Sequence, residues 1–135
     1  MTGIKALKVL LAEDDYYVRQ YLKSIIDCNR NEFEIVYEAT NGEEAYNYIL
    51  KNDVDIILTD IEMPVMSGLE MLSKLKEAKR NIKTIIITAY EEFSYAKKAL
   101  ELDVEEYILK PLNKEQILKT LLKVKNDVLK ERDLN

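Results

Sequence analysis

The chain has 135 residues, the length of one compact domain, and its 47% hydrophobic and 33% charged residues with only 3 Gly and 2 Pro exclude a disordered or fibrous polymer. With 25 acidic against 20 basic residues, a net charge of -5 and a pI near 4.9, it lacks an electrostatic footprint for phosphate backbones or anionic lipid, so neither nucleic acid nor membrane is expected as a direct partner. The absence of His and the single cysteine, Cys28, exclude an internal disulfide, a Cys/His zinc site and Ser-His or Cys-His catalysis.

Residues 1–8 lack a basic segment leading into a long apolar run and a small-residue cleavage site, and nowhere do about 18 apolar residues follow one another, so a cytoplasmic, reducing location is expected. An apolar run at residues 9–12 predicts the first strand, which leads directly into Glu13-Asp14-Asp15. Val18, Leu22, Ile25 and Ile26 then recur at helical spacing, with Asp15 as the helix cap or a solvated charge and Cys28 as a small, partly buried residue of that helix. A second strand is expected at residues 33–37, a turn at Asn41-Gly42, and a second helix through Ala45, Tyr48 and Ile49. The third strand, residues 56–59, ends in Thr59-Asp60, and Pro64 blocks its continuation. Leu69, Leu72 and Leu75 mark helix three, residues 84–88 strand four with Thr88-Ala89 at its end, and Phe93, Ala96, Ala99 and Leu100 helix four. Strand five, residues 107–109, runs into Lys110-Pro111. Asn113 can cap the last helix with Gln116 three residues on; that helix is expected to reach about residue 132, with Lys119, Lys123, Lys125 and Lys130 on its wet face.

Five alternations of strand and helix predict a doubly wound α/β domain around a parallel sheet, in which ligands bind beyond the carboxyl ends of the strands. Those ends carry Glu13, Asp14, Asp60, Thr88 and Lys110. Carboxylates brought that close require a compensating cation. Magnesium suits one or two carboxylates plus water and a phosphate, which makes Asp14 and Asp60 candidate direct ligands, with Glu13 acting through water and Lys110 adding further positive charge. The set fits phosphoryl transfer: Asp60 as the nucleophile that becomes an acyl phosphate, the cations on the phosphoryl oxygens, and the Thr88 hydroxyl as a donor to one of them.

Several separate motifs then fall in one order: Leu10-Leu11-Ala12-Glu13-Asp14-Asp15, Leu58-Thr59-Asp60-Ile61-Glu62-Met63-Pro64-Val65-Met66-Ser67-Gly68, Ile87-Thr88-Ala89 and Tyr107-Ile108-Leu109-Lys110-Pro111. Together they resemble the receiver domains of bacterial two-component response regulators, over roughly residues 8–122. The resemblance implies a (βα)5 domain with a five-stranded parallel sheet in the flavodoxin-like order 2-1-3-4-5. It implies one receiver domain over residues 1–135, its core at about 8–122, with 123–135 as the end of the last helix or the start of a linker. It also implies Asp60 as the phosphorylated nucleophile, Mg2+ held by Glu13, Asp14, Asp60 and the backbone carbonyl of Glu62, a cis peptide before Pro111, and phosphoryl binding by Lys110 and Thr88. Thr88 and Tyr107 would form the switch that alters the surface around helix four and strand five. A sensor histidine kinase is the implied partner, and the domain would be no enzyme beyond promoting its own phosphorylation and dephosphorylation.

Residues 90–100 are similar to those of receivers that precede an AraC-type helix-turn-helix output domain, so a C-terminal DNA-binding domain outside this chain and transcriptional control are implied, as is a homodimer formed on phosphorylation. Asp103 stands where receivers usually carry Gly, and a left-handed residue with slight strain is expected there. Glu62 and Tyr90 occupy two positions that family members vary to set phosphoryl lifetime. The alternative is a Mg-dependent aspartyl-nucleophile phosphatase resembling the haloacid dehalogenase family, whose motif requires a second Asp where Glu62 stands.

Overall fold

In the computed structural model, residues 5–134 are described. Met1 to Ile4 and Asn135, the ends of the span expected to be one receiver domain, lie outside the described residues. The elements alternate strictly: β1 (Leu7–Ala12), α1 (Tyr16–Asp27), β2 (Phe33–Ala39), α2 (Gly42–Lys51), β3 (Ile56–Thr59), α3 (Gly68–Glu77), β4 (Lys83–Thr88), α4 (Phe93–Glu101), β5 (Glu106–Leu109) and α5 (Lys114–Leu134). The strands form one sheet in the order β2-β1-β3-β4-β5, with every neighbouring pair parallel. The predicted fold and strand order are therefore present, with β1 and β2 each two residues longer than the apolar runs and β4 and β5 one.

The apolar runs follow from burial on both sheet faces. Along β1, Leu7, Val9 and Leu11 point into one core and Leu10 and Ala12 into the other; β3 splits Ile56 and Leu58 from Ile57, and β4 splits Ile85 and Ile87 from Ile86. The period of two is still there, but beyond Lys8 and Lys83 at the strand starts no charged residue marks it, because the rest of these three strands is buried on both faces. The first core is closed by Leu22, Ile25 and Ile26 of α1 and by Ile117, Leu121, Val124 and Val128 of α5. The second is closed by Ala45 and Ile49 of α2, Met71, Leu72 and Leu75 of α3, and Ala99 of α4. Each fully buried Leu or Ile contributes roughly 1.5–3 kcal/mol, so these two layers are the main support of the fold.

Helix starts are set by short-range chemistry. Asp15 caps α1, its side chain accepting from the backbone N–H groups of Tyr17 at 2.9 Å and Val18 at 3.1 Å. Asn41 does the same for α2, so the Asn41-Gly42 pair is a helix start rather than a free turn. Ser67 and Glu70 form a reciprocal capping box on α3, and Asn113 accepts from Gln116 N at 3.0 Å at the head of α5.

Helix four forms where the spacing predicts it, with only Ala99 buried: Phe93 is 83% and Leu100 77% exposed, and Ala96 is exposed too, because the short helix lies on the sheet by one narrow stripe. Two expectations are corrected. Cys28 is not a partly buried residue of α1 but its exposed C-cap. Lys125 does not share the wet face of α5; it is 8% exposed and its ammonium is paired with Glu32, just before β2, with the Phe33 ring beneath it. Asp103 has φ 59°, the left-handed conformation expected of it.

Candidate functional site

Strand register brings the acidic residues together. Ala12 pairs with Thr59 at the level carboxyl ends of β1 and β3, and Asp60 N donates to Ala12 O at 3.0 Å, so Glu13 and Asp60 emerge side by side. Thr59 pairs with Ile86, which leaves β4 to run on to Thr88 above Asp60. Thr88 pairs with Leu109, and Lys110 N donates to Thr88 O at 2.8 Å, which brings Lys110 to the rim from the other side. The Lys110-Pro111 bond is cis, as the resemblance implies.

At the centre, Lys110 Nζ lies 2.9 Å from Asp60 Oδ2 and 3.1 Å from Glu13 Oε1. Glu13 is 1% and Asp60 7% exposed, whereas Asp14 is exposed. Asp60 Oδ1 accepts the Ile61 N–H at 2.6 Å and Glu13 Oε2 accepts the Asp15 N–H at 3.2 Å. Ligand atoms of Glu13, Asp14 and Asp60 all lie within 4.8 Å of one another, close enough to share one cation. The Glu13 carboxyl is pushed up to about 7, first by burial and then by the neighbouring Asp60 charge. Burial pulls the Lys110 ammonium down, but its bonds and charge contacts with Asp60 and Glu13 outweigh this and raise it. One ammonium facing two buried carboxylates and a third at the rim leaves a negative surplus, and an all-oxygen donor set of this kind fits a hard divalent ion such as magnesium.

The remaining predicted residues surround this centre. Thr88 is fully buried and its Oγ1 accepts the Tyr90 N–H at 3.2 Å. Tyr107 is half-buried, and its hydroxyl donates to Tyr90 O at 2.8 Å; burial, followed by the charges of Glu92 and Asp60, raises that phenol. Glu62 is turned outward, its Oε1 accepting a hydrogen bond from Tyr95 Oη of α4, and its side chain does not join the acidic cluster.

Two site-building residues escaped sequence reasoning. Gly68 N donates to Ile61 O at 2.8 Å, and a Cβ added to Gly68 would stand 2.0 Å from Asp60 O. Its φ is not positive, so what matters is the close approach of α3 to the Asp60 backbone. Tyr95 was unremarked among nine tyrosines, and only the distance in space between Glu62 and α4 reveals its role.

Residues 9–122 match the family model of the response regulator receiver domain. The transcriptional regulatory protein YesN of Bacillus subtilis is 34% identical over 128 residues, which is 95% of this chain and 34% of YesN. The sensory transduction protein LytT of Bacillus anthracis is 38% identical over 119 residues, 88% of this chain and 47% of LytT. Among solved structures, the REC domain of AraT, a response regulator from Geobacillus stearothermophilus, superposes with a TM-score of 0.84 at 38% identity, covering 94% of this chain and 98% of that one. The chain thus spans about a third to a half of the length of the curated relatives it matches.

Proposed function

The chain belongs to the response regulator receiver family, and on that premise we propose that Asp60 is its phosphoacceptor, taking a phosphoryl group from a sensor histidine kinase. The observation that carries the reading is the convergence of Asp60, Glu13 and Lys110, with Nζ 2.9 Å and 3.1 Å from the two carboxylates. Asp60 Oδ1 is already held by the Ile61 N–H and Oδ2 by Lys110, so the carboxylate is oriented before any donor arrives.

Glu13, Asp14, Asp60 and the Glu62 backbone carbonyl are the residues proposed to hold Mg2+, which when bound supplies positive charge to the phosphoryl oxygens. Lys110 supplies a second positive charge, poised to move from the carboxylates onto the phosphoryl group. Attack by Asp60 on phosphorus forms the acyl phosphate and expels the donor's leaving group. Thr88, released from the Tyr90 N–H, would donate its hydroxyl to a phosphoryl oxygen, and the Tyr107 bond to Tyr90 O would then have to rearrange. Those contacts differ between the two states, as a population shift requires; moving from about 1:99 to 99:1 needs roughly 5.5 kcal/mol of such difference.

The switched surface is proposed to control transcription through an output domain outside this chain, of AraC type by the resemblance of residues 90–100, with homodimer formation on phosphorylation and a cytoplasmic location. No helix among the described residues is long and apolar enough to cross a membrane. The aspartyl-nucleophile phosphatase alternative is not favoured, since the family match spans residues 9–122 and Glu62 faces Tyr95. Acetyl phosphate with magnesium should add one phosphoryl group to the wild type and none to Asp60→Asn. Equal labelling of both by intact mass would refute the assignment.

A further inference from the structure

The main chain between Glu13 and Asp14 is gripped from outside the acidic cluster. Glu13 N donates to Ala39 O at the end of β2 at 2.9 Å, and Glu13 O accepts from Arg19 Nη1, in the first turn of α1, at 2.8 Å. The Arg19 side chain is only 14% exposed; its Nε lies 3.5 Å from Glu38 Oε1 of β2, and its guanidinium carbon stands 5.7 Å from the centre of the Tyr16 ring. Glu38 is met in turn by Lys23, one helical turn further along α1, at 3.4 Å. A planar fork with fixed donor directions thus joins α1, the turn after β1 and the strand β2. Arg19 bonds none of the three clustered carboxylates; its bond goes to the peptide between two of them.

That peptide is a rigid plane, and turning it swings the Asp14 side chain relative to Glu13. Glu13 has supports of its own in Lys110 Nζ and the Asp15 N–H, and Asp15 is fixed as the cap of α1. Asp14 is exposed, and among the described residues no hydrogen bond from its side chain holds it. The bond from Arg19 to Glu13 O therefore fixes the direction in which Asp14 points. Groups that orient metal ligands without touching the ion set affinity by holding the ligands in place before the ion arrives. We propose that Arg19 is a positioning residue for the divalent cation: by clamping the Glu13-Asp14 peptide against α1 and Glu38, it keeps the two carboxylates converged on one ion. The inference rests on the acidic cluster holding Mg2+. Charge alone predicts the opposite sign, because a guanidinium beside a cation site repels the ion. Removing Arg19 should thus weaken binding if it positions, and tighten binding if it only repels.

The test titrates magnesium chloride into the metal-free protein by calorimetry, with the folding and melting temperature of each variant followed by circular dichroism. Arg19→Gln should weaken Mg2+ binding about tenfold. Arg19→Lys keeps the charge but can serve Glu13 O or Glu38, not both, and should weaken it about threefold or more. Affinity in Arg19→Gln equal to that of the wild type, or tighter, overturns the proposal, tighter binding being the mark of charge repulsion alone. A lower melting temperature with unchanged affinity in both variants marks a merely structural role and overturns it too. If Arg19→Gln fails to fold, Arg19→Lys decides by the same measure. A wild type that binds no Mg2+ removes the metal-site reading and this inference with it, whereas labelling of Asp60→Asn by acetyl phosphate removes only the phosphoacceptor assignment.

Discussion

Replacing Glu13 by Gln should remove a pH-dependent loss of stability from the metal-free protein. The Glu13 carboxyl is 1% exposed and pushed up from the usual 4.5 to about 7, first by burial and then by Asp60. Between those two values the folded state holds a proton that the unfolded chain has released, so stability from this group falls as pH rises. Below the lower value both states are protonated and nothing is lost; above the upper one the whole penalty is present. At about 1.4 kcal/mol per pH unit the penalty is on the order of 3 kcal/mol. Gln is neutral throughout. The variant should match the wild type near pH 4.5 and exceed it by an amount approaching that figure near pH 8. With m of about 1–3 kcal/mol/M, the urea midpoints at pH 8 should differ by about 1 M or more. The assay is urea unfolding in EDTA across that range. Magnesium should reverse the order at pH 8, because the ion favours the ionised carboxylate that the variant lacks. Asp60→Asn, which removes the second cause, should shrink the slope. Parallel pH profiles for wild type and Glu13→Gln without metal would refute the reasoning.

Gly68→Ala should cost about 2–3 kcal/mol in urea unfolding, because its Cβ would lie 2.0 Å from Asp60 O, a backbone atom that can move only by displacing β3 from α3; a loss under about 0.5 kcal/mol would show that α3 yields freely. Asp103→Gly should raise the melting temperature, since φ 59° is strained for Asp and its 3.5 Å pair with Lys76 is exposed and weak; a lower melting temperature would show that the pair outweighs the strain.

Much of the fold was legible because the three central strands, β1, β3 and β4, are covered on both faces over most of their length, which compresses each into a short apolar run that any window detects. The site was legible for a related reason: Glu13, Asp60, Thr88 and Lys110 each stand at a strand end, and parallel strands bring their ends to one edge. What the sequence did not show has another cause. Phe93, Ala96 and Leu100 lie at helical spacing, which shows that α4 is a helix but not how much of its apolar face is covered. Lys125 looks like its solvated neighbours until Glu32, 93 residues away in sequence, is seen to lie against it.

Sequence by itself therefore determined the order of elements, the class of fold and the four strand-end residues, since backbone preference and two-sided burial act over a few neighbouring positions. Only the tertiary structure decided that Lys110 bridges two carboxylates, that α3 must approach the Asp60 carbonyl without a Cβ between them, and that Tyr95 holds Glu62. Contacts of that kind depend on strand register and helix placement, which are settled by how the two cores close and not by any local run of residues.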